Sequence, residues 1–334
     1  MTSTIAVLGA GSWGTALAIH LAGAGHPVRL WARDAALADA LATGRVNALY
    51  LPGVPLPVGV DATASLASAV DGAAFIVGAV PSHGLRAVMR AAAPSLDTGA
   101  ILVSATKGLE TDTLQRMSEV MDAETAGRFK TVVLSGPSFA AEVARGLPTA
   151  VLAASIDADA AAAVQERFRG RGLRLYVTDD VAGVEIGGAL KNVIAIAAGV
   201  VEGLGLGHNA LAALITRGLA EVSRLACAEG ARRETLAGLS GLGDLVLTCT
   251  GDLSRNRQVG IELGRGRPLA EILAGMRMVA EGIRTTHAAL ALGTKHGIEL
   301  PIVAQMNDVL DGRCSPASGV EALMGRRQRA EVDG

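Results

Sequence analysis

The chain has 334 residues and a mass of 33.8 kDa, is 50% hydrophobic and 19% charged, and has a mean hydropathy of +0.39. That composition excludes a small disulfide scaffold and a disordered chain and fits one large or two ordinary domains. Lys and Arg number 30 against 32 Asp and Glu, so no overall positive field recruits nucleic acid or an anionic membrane, and only a local anion pocket stays open.

Along the chain, Thr4 to Leu8 reads as a strand, GAGSWGTALAIHLAGAG as a glycine turn running into a helix, and PVRLWARD as a second strand. The opening MTSTIAVL lacks a basic segment and enters the glycine motif directly, so a cleaved secretion signal is not expected. AAFIVGAV, AILVSATKG, TVVLSGPS and AVLAAS continue the strands, and Leu85 to Ala93 and Leu114 to Ala123 suit crossover helices. A parallel sheet covered by helices is expected over residues 1–180. Beyond Asp180 the strand pattern fades. VEIGGALKNVIAIAAGVVEG carries a helical apolar face, and Lys191 and Glu202 leave it short of an uninterrupted membrane span. Asn209 to Glu229 places Leu211, Leu214, Ile215, Leu219, Val222 and Leu225 at intervals of three or four, with Arg217 and Glu221 expected to meet on its surface. Helices over 256–264, 268–273, 281–293 and 302–310, with PASGVEALMG, complete an all-helical second domain over 181–325. RRQRAEVDG, residues 326–334, reads as a frayed terminus. Cys227, Cys249 and Cys314 are widely spaced and cannot all pair with one another, which favours a reducing compartment.

Gly9, Gly11 and Gly14 follow the first strand and open a helix, the context that makes a glycine motif dinucleotide-binding and the sheet Rossmann-like. Gly9 serves the turn, Gly11 leaves room for a pyrophosphate and Gly14 lets the helix pack closely, while Ser12 and Trp13 line the phosphate path. No GK[ST] ending follows, so a nucleoside triphosphatase loses its main support. The second strand ends in Arg33 and Asp34, where the adenine-side ribose arrives. Arg33 can neutralise a 2′-phosphate, which favours NADP(H) over NAD(H) with either allowed, or it is a solvated cation. Asp34 suits a helix cap.

Lys107 in SATKGLE and Gly136, Pro137 and Ser138 in SGPSFAAEV stand at carboxyl ends of strands, where ligands gather. Phe139 and Ala140 offer an apolar wall for nicotinamide, and Pro81 and Ser82 a further cofactor-side wall or a plain turn. His83 reads as a surface histidine, and the six histidines supply no metal-ligand set.

Together GAGSWG, SATKGLE, SGPSFAAEV, GGALKNVIAIAAG, GLGDLVLTCTG and SRNR closely resemble the bacterial-type NAD(P)-dependent glycerol-3-phosphate dehydrogenases, over residues 4 to about 324. The resemblance implies a 6-phosphogluconate-dehydrogenase-like helical substrate domain and reversible reduction of dihydroxyacetone phosphate to sn-glycerol 3-phosphate for phospholipid synthesis in the cytoplasm. It makes Lys191 the catalytic lysine, with Asn192 shaping the pocket and Lys107 touching substrate and cofactor. Hydride transfer to a ketone leaves negative charge on oxygen, which a lysine can stabilise and protonate. By the same resemblance Asp244 orients Lys191 or accepts from a substrate hydroxyl, or else caps a helix. Thr248 supplies a pocket hydroxyl, Cys249 is a small buried residue, and Ser254, Arg255 and Asn256 surround the phosphate, with Arg255 also reaching the cofactor and Arg257 in support. Val279 and Glu281 resemble late cofactor contacts, against a helix start for Glu281. A homodimer is the base-rate expectation. A 2-hydroxyacid or sugar-acid dehydrogenase and a non-catalytic dinucleotide sensor are the alternatives.

Overall fold

The computed structural model describes residues 3–276, 280–328 and 330–331. Its first half is one eight-stranded sheet built from β1 (Thr4–Leu8), β2 (Val28–Trp31), β3 (Val60–Thr63), β4 (Ala73–Gly78), β5 (Ile101–Ser104), β6 (Lys130–Ser135), β7 (Thr149–Ala154) and β8 (Leu173–Thr178), in the order β3-β2-β1-β4-β5-β6-β7-β8. Helices α1 (Ser12–Gly23), α2 (Ala35–Gly44), α3 (Leu66–Val70), α4 (Ser82–Ala92), α5 (Met117–Thr125), α6 (Ala140–Ala144) and α7 (Ala158–Phe168) lie among the strands. The expected sheet is corrected in one respect: β6 and β7 pair antiparallel, so β7 and β8 run against the other six.

Alternation along each strand divides the core into two faces. Ile5 and Val7 point with Val77 and Val103 towards Leu17 of α1 and Val164 and Phe168 of α7. Ala6 and Leu8 point with Ile76 and Leu102 towards Leu85 and Met89 of α4 and Val120 and Met121 of α5. Because both faces are covered, the strands read as apolar runs. Helix α5 starts at Met117, not Leu114, because Leu114 takes a left-handed backbone with φ of 61°.

The second half holds α8 (Val181–Gly203), α9 (Gly207–Ala228), α10 (Arg233–Leu236), α11 (Asp244–Thr250), α12 (Arg255–Gly264), α13 (Leu269–Ala274), α14 (Glu281–His296), α15 (Pro301–Leu310) and α16 (Pro316–Met324). Helix α8 is long and apolar enough to cross a membrane by length and composition, yet 94% of its most apolar window is buried inside the protein, as the central post of the helical layer. It meets α12 through glycines on both helices. A Cβ on Gly199 would lie 2.0 Å from the Arg257 carbonyl oxygen, and one on Gly260 would lie 1.9 Å from that of Ile196. Of the segment read as a frayed terminus, residues 329 and 332–334 lie outside the described residues.

The surface pair expected between Arg217 and Glu221 does not form. Glu221 is buried, and its carboxylate accepts the backbone N–H groups of Ile302 at 2.8 and 3.1 Å and of Val303 at 3.3 Å, capping α15 from α9, while Arg217 donates to the Glu331 carbonyl. Burial drives the Glu221 carboxyl up to about 7, against the opposing pull of those two N–H groups and of Arg224 and Arg326. Through the window from the ordinary 4.5 to about 7 the folded chain keeps a proton that the unfolded chain has released. Stability therefore falls as pH rises through that window, by about 3 kcal/mol at about 1.4 kcal/mol per pH unit. Glu221→Gln should flatten the dependence of Tm on pH in that range; an undiminished slope would assign it to another group.

Candidate active site

The amino-terminal glycine turn has the geometry a dinucleotide needs. Gly9 takes φ of +119°, and a Cβ there would meet the Ala79 carbonyl oxygen at 2.7 Å; one on Gly14 would sit 1.9 Å from the Gly9 oxygen, so neither position admits a side chain. A Cβ on Gly11 would meet nothing within 4 Å, which leaves open space over the start of α1, the end of a helix whose dipole attracts an anion. Trp13, in the first turn of α1, carries an Nε1 donor that is buried with no hydrogen-bond partner in the protein. These features fit a bound pyrophosphate. Ser12 is the first residue of α1, and Arg33 is exposed at the end of β2. Beside it Asp34 accepts from Ala36 N at 2.9 Å and Leu37 N at 3.4 Å, capping α2. Pro81 precedes α4 as its cap residue, and Ala140 opens α6.

The substrate-side residues converge on Asp244. Lys191 stands in the middle of α8, and its Nζ donates to Asp244 Oδ1 at 2.5 Å and to Thr248 Oγ1 at 3.0 Å. Lys107, in the turn after β5, donates to Asp244 Oδ2 at 2.7 Å, to the Gly136 carbonyl at 2.8 Å and to Ser138 Oγ at 3.5 Å. One carboxylate thus bridges two ammonium groups from different halves of the chain. Asp244 begins α11, but its side chain goes to the lysines and does not cap that helix. Burial pulls the Lys191 ammonium down to about 8, a fall that Asp244 opposes and Lys107 reinforces. A lysine titrating near neutrality on a helix of a closed core is equipped to give and take a proton. Cys249, next to Thr248, is fully buried and its thiol is pushed up to about 12 by burial, which makes it inert packing.

The tight crossing of α8 and α12 brings Asn192 and Asn256 together: Asn256 Nδ2 donates to Asn192 Oδ1 at 2.9 Å, and Asn256 Oδ1 accepts from Gly282 N at 3.0 Å. Ser254 caps α12, its Oγ accepting from Arg257 N at 3.2 Å, so that hydroxyl already has a structural task. Arg255 is the exposed first residue of the same helix. Arg257 pairs with Glu202 at 2.7 Å and Asp252 at 3.1 Å, a role in the scaffold. Glu281 opens α14 and accepts from Ser82 N at 3.2 Å and Ser82 Oγ at 2.6 Å, a latch from the helical layer onto the first turn of α4. Val279 lies outside the described residues. His83 is exposed, and among the described residues no group of three or more His, Cys, Asp or Glu could hold a metal ion.

Sequence reasoning passed over the glycines that set the crossing, although Gly199 and Gly203 on α8 and Gly260 and Gly264 on α12 share a four-residue spacing that signals close helix contact. It also passed over Ser82 as the partner of Glu281.

Comparison with known proteins agrees over nearly the whole chain. Residues 4–161 match the family model described as NAD-dependent glycerol-3-phosphate dehydrogenase N-terminus, and residues 180–321 the one described as its C-terminus. The chain is 53% identical to a glycerol-3-phosphate dehydrogenase (NAD(P)+) of Koribacter versatilis, over 99% of each chain. Among solved structures it resembles the glycerol-3-phosphate dehydrogenase of Coxiella burnetii, with a TM-score of 0.94 at 42% identity over 97% of this chain and 99% of that one. A glycerol-3-phosphate dehydrogenase of Saccharomyces cerevisiae superposes with a TM-score of 0.82 at 27% identity, over 96% and 99%.

Proposed function

The chain belongs to the NAD-dependent glycerol-3-phosphate dehydrogenase family, and from that membership we propose that Lys191 moves the proton of its reaction while Asp244 and Lys107 hold Lys191 in place. The enzyme is an NAD(P)-dependent oxidoreductase that interconverts dihydroxyacetone phosphate and sn-glycerol 3-phosphate. When bound, the dinucleotide supplies the hydride that reduces the ketone carbon. Lys191, charged below about pH 8, faces the oxygen on which negative charge grows, stabilises it and delivers the proton; in the reverse direction its neutral amine accepts that proton. Asp244 keeps the amine aimed through its 2.5 Å contact, and Thr248 restricts its swing. Lys107, held by Gly136 and Ser138, presents a second positive charge to the substrate. The amino-terminal end of α12, with Arg255 and Asn256, receives the phosphate and Asn192 buttresses it, while Ser254 acts by fixing that helix start.

The observation that carries this reading is the buried chain Lys107, Asp244, Lys191, which joins the two halves of the molecule. The decisive experiment follows loss of the reduced nicotinamide when dihydroxyacetone phosphate is added, with unphosphorylated dihydroxyacetone and several 2-ketoacids alongside. Turnover restricted to the phosphorylated ketone is expected; robust ketoacid reduction would point to the hydroxyacid dehydrogenases instead, and binding without turnover to a sensor.

For the cofactor we propose a preference for NADP(H). Asp34 is committed to the cap of α2, which takes the carboxylate at the end of β2 away from a free 2′-hydroxyl and supports Arg33 facing a 2′-phosphate. Arg33→Ala should weaken NADPH about tenfold or more and leave NADH unchanged. Equal losses for the two in a calorimetric titration would return Arg33 to the scaffold. Glu281 is proposed to border the cofactor cleft beside Pro81 and Ala140. Three free thiols support a reducing, cytoplasmic setting, with the product feeding phospholipid synthesis. A homodimer is proposed, which a sedimentation mass would test.

A further inference from the structure

The segment between β5 and α5 leaves the sheet and enters the helical layer. Lys107 is its third residue, and two residues later Leu109 is 1% exposed within the core of the helical half, in one cluster with Ile186, Ala189 and Leu190 of α8. The segment folds back on itself: Leu109 bridges Arg116, Glu110 N donates to the Gln115 carbonyl at 2.9 Å, and Leu114 N donates to the Glu110 carbonyl at 2.9 Å. Arg86 of α4 grips its outer side through Glu110 at 2.6 Å. Its inner end is held by one buried carboxylate. Glu185, in the second turn of α8, accepts from Ser118 N at 2.8 Å, from Ser118 Oγ at 2.6 Å and from Arg116 Nη1 at 2.9 Å.

We infer that Glu185 is a positioning residue for the reaction: by tying the segment that carries Lys107 to the helix that carries Lys191, it sets the separation of the two lysines across Asp244. It rests on the reading of Lys191 as the proton-transfer group. Glu185 is six residues before Lys191, about 9 Å along the helix, and Arg116 bridges Leu109, which follows Lys107 by two residues across the bend at Gly108. Both paths end on the oxygens of Asp244. Glu185 touches neither lysine, so its influence is mechanical and reaches the chemistry through the charge around Lys191. The charged groups around Glu185 are Arg116 and, behind it, Glu119, which takes Arg116 Nη2 at 2.6 Å. Those around Lys191 are Asp244 and Lys107, with the Cys249 thiol beside them.

Lys107 lowers the proton affinity of Lys191 and shares its carboxylate. A segment released from α8 draws Lys107 away and leaves Asp244 to Lys191 alone, so Lys191 holds its proton to higher pH. Glu185→Gln keeps the shape, removes the charge from Arg116 and sets an amide donor against existing donors. The expected result is a 10- to 100-fold fall in kcat for ketone reduction, with the high-pH limb of the rate profile, where Lys191 loses its proton, displaced upward by about one pH unit. Arg116→Lys and Ser118→Ala, which loosen the same clasp by one contact each, should displace it in the same direction by less. Glu221→Gln, a buried carboxylate in the same layer without a path to the lysines, should alter Tm and leave the limb in place. If Glu185→Gln does not fold, the two milder variants decide. A limb unmoved in every folded clasp variant overturns the inference whatever happens to stability, whereas near-normal turnover of Lys191→Met would overturn the proton-transfer reading beneath it.

Discussion

Replacing Lys191 with methionine is expected to lower kcat by about 10³-fold or more, the combined loss of a general acid and of a charge facing the developing oxyanion. Methionine is unbranched and of similar length, so it fills the space in the α8 core without a cavity or a β-branch. Asp244 keeps Lys107 at 2.7 Å and is not stranded as a lone buried charge. The glycine turn at Gly9 to Gly14 is untouched, so calorimetric affinity for the dinucleotide should stay near that of the parent protein. Turnover within a few-fold of the parent would remove Lys191 from the chemistry; joint loss of turnover and cofactor affinity would indicate collapse of the site.

Asp244→Asn should have the next largest effect, and on two observables. Asp244 is fully buried and is the shared counterion of both lysines. Its neutral replacement leaves two ammonium groups close together with no compensating charge, a change on the scale of about 3–5 kcal/mol for a broken buried pair. Part of that loss is avoided if a lysine gives up its proton. Because Asp244 holds the Lys191 affinity for a proton up against burial, its removal moves the high-pH limb of ketone reduction below about 8, opposite to the displacement expected for Glu185→Gln. At neutral pH the protonated donor is then scarce, and kcat should fall by about 10²-fold. A limb that stays in place, or moves upward, would mean that Asp244 acts on the substrate and not on Lys191.

How far the sequence foretells this site depends on the reach of the interaction. Gly9, Gly11 and Gly14 declare themselves because turn, phosphate space and helix packing are met within six consecutive residues. The apolar repeats of α8 and α9 give the helices because burial on one face writes a local period. Strands β3 and β8 pass unread: VDAT is four residues with one fully buried, and LRLYVT alternates on the outer edge of the sheet, where Tyr176 and Val177 stay about half exposed. Nothing in LPTAVLAAS marks β7 as antiparallel, since direction is set by how the chain returns after Gly136. Glu221 and Glu185 look like ordinary surface carboxylates on amphipathic helices. Each instead caps a helix 67 to 82 residues distant in the chain, a match that no local pattern records. Lys107 and Asp244 were each identifiable by motif, while their meeting across 137 residues belongs to the fold.

The insertion of Leu109 and its bridge to Arg116 bears on what counts as a separable piece of this enzyme. The two family models divide the chain between residues 161 and 180, as though two modules had been joined. A fragment beginning near that division would expose the slot that Leu109 fills among Ile186, Ala189 and Leu190 and would leave Glu185 facing neither Arg116 nor Ser118. The catalytic helix is therefore completed by residues encoded far upstream. During synthesis, the sheet half must already be present when α8 emerges, and denaturant should melt both halves in a single cooperative transition.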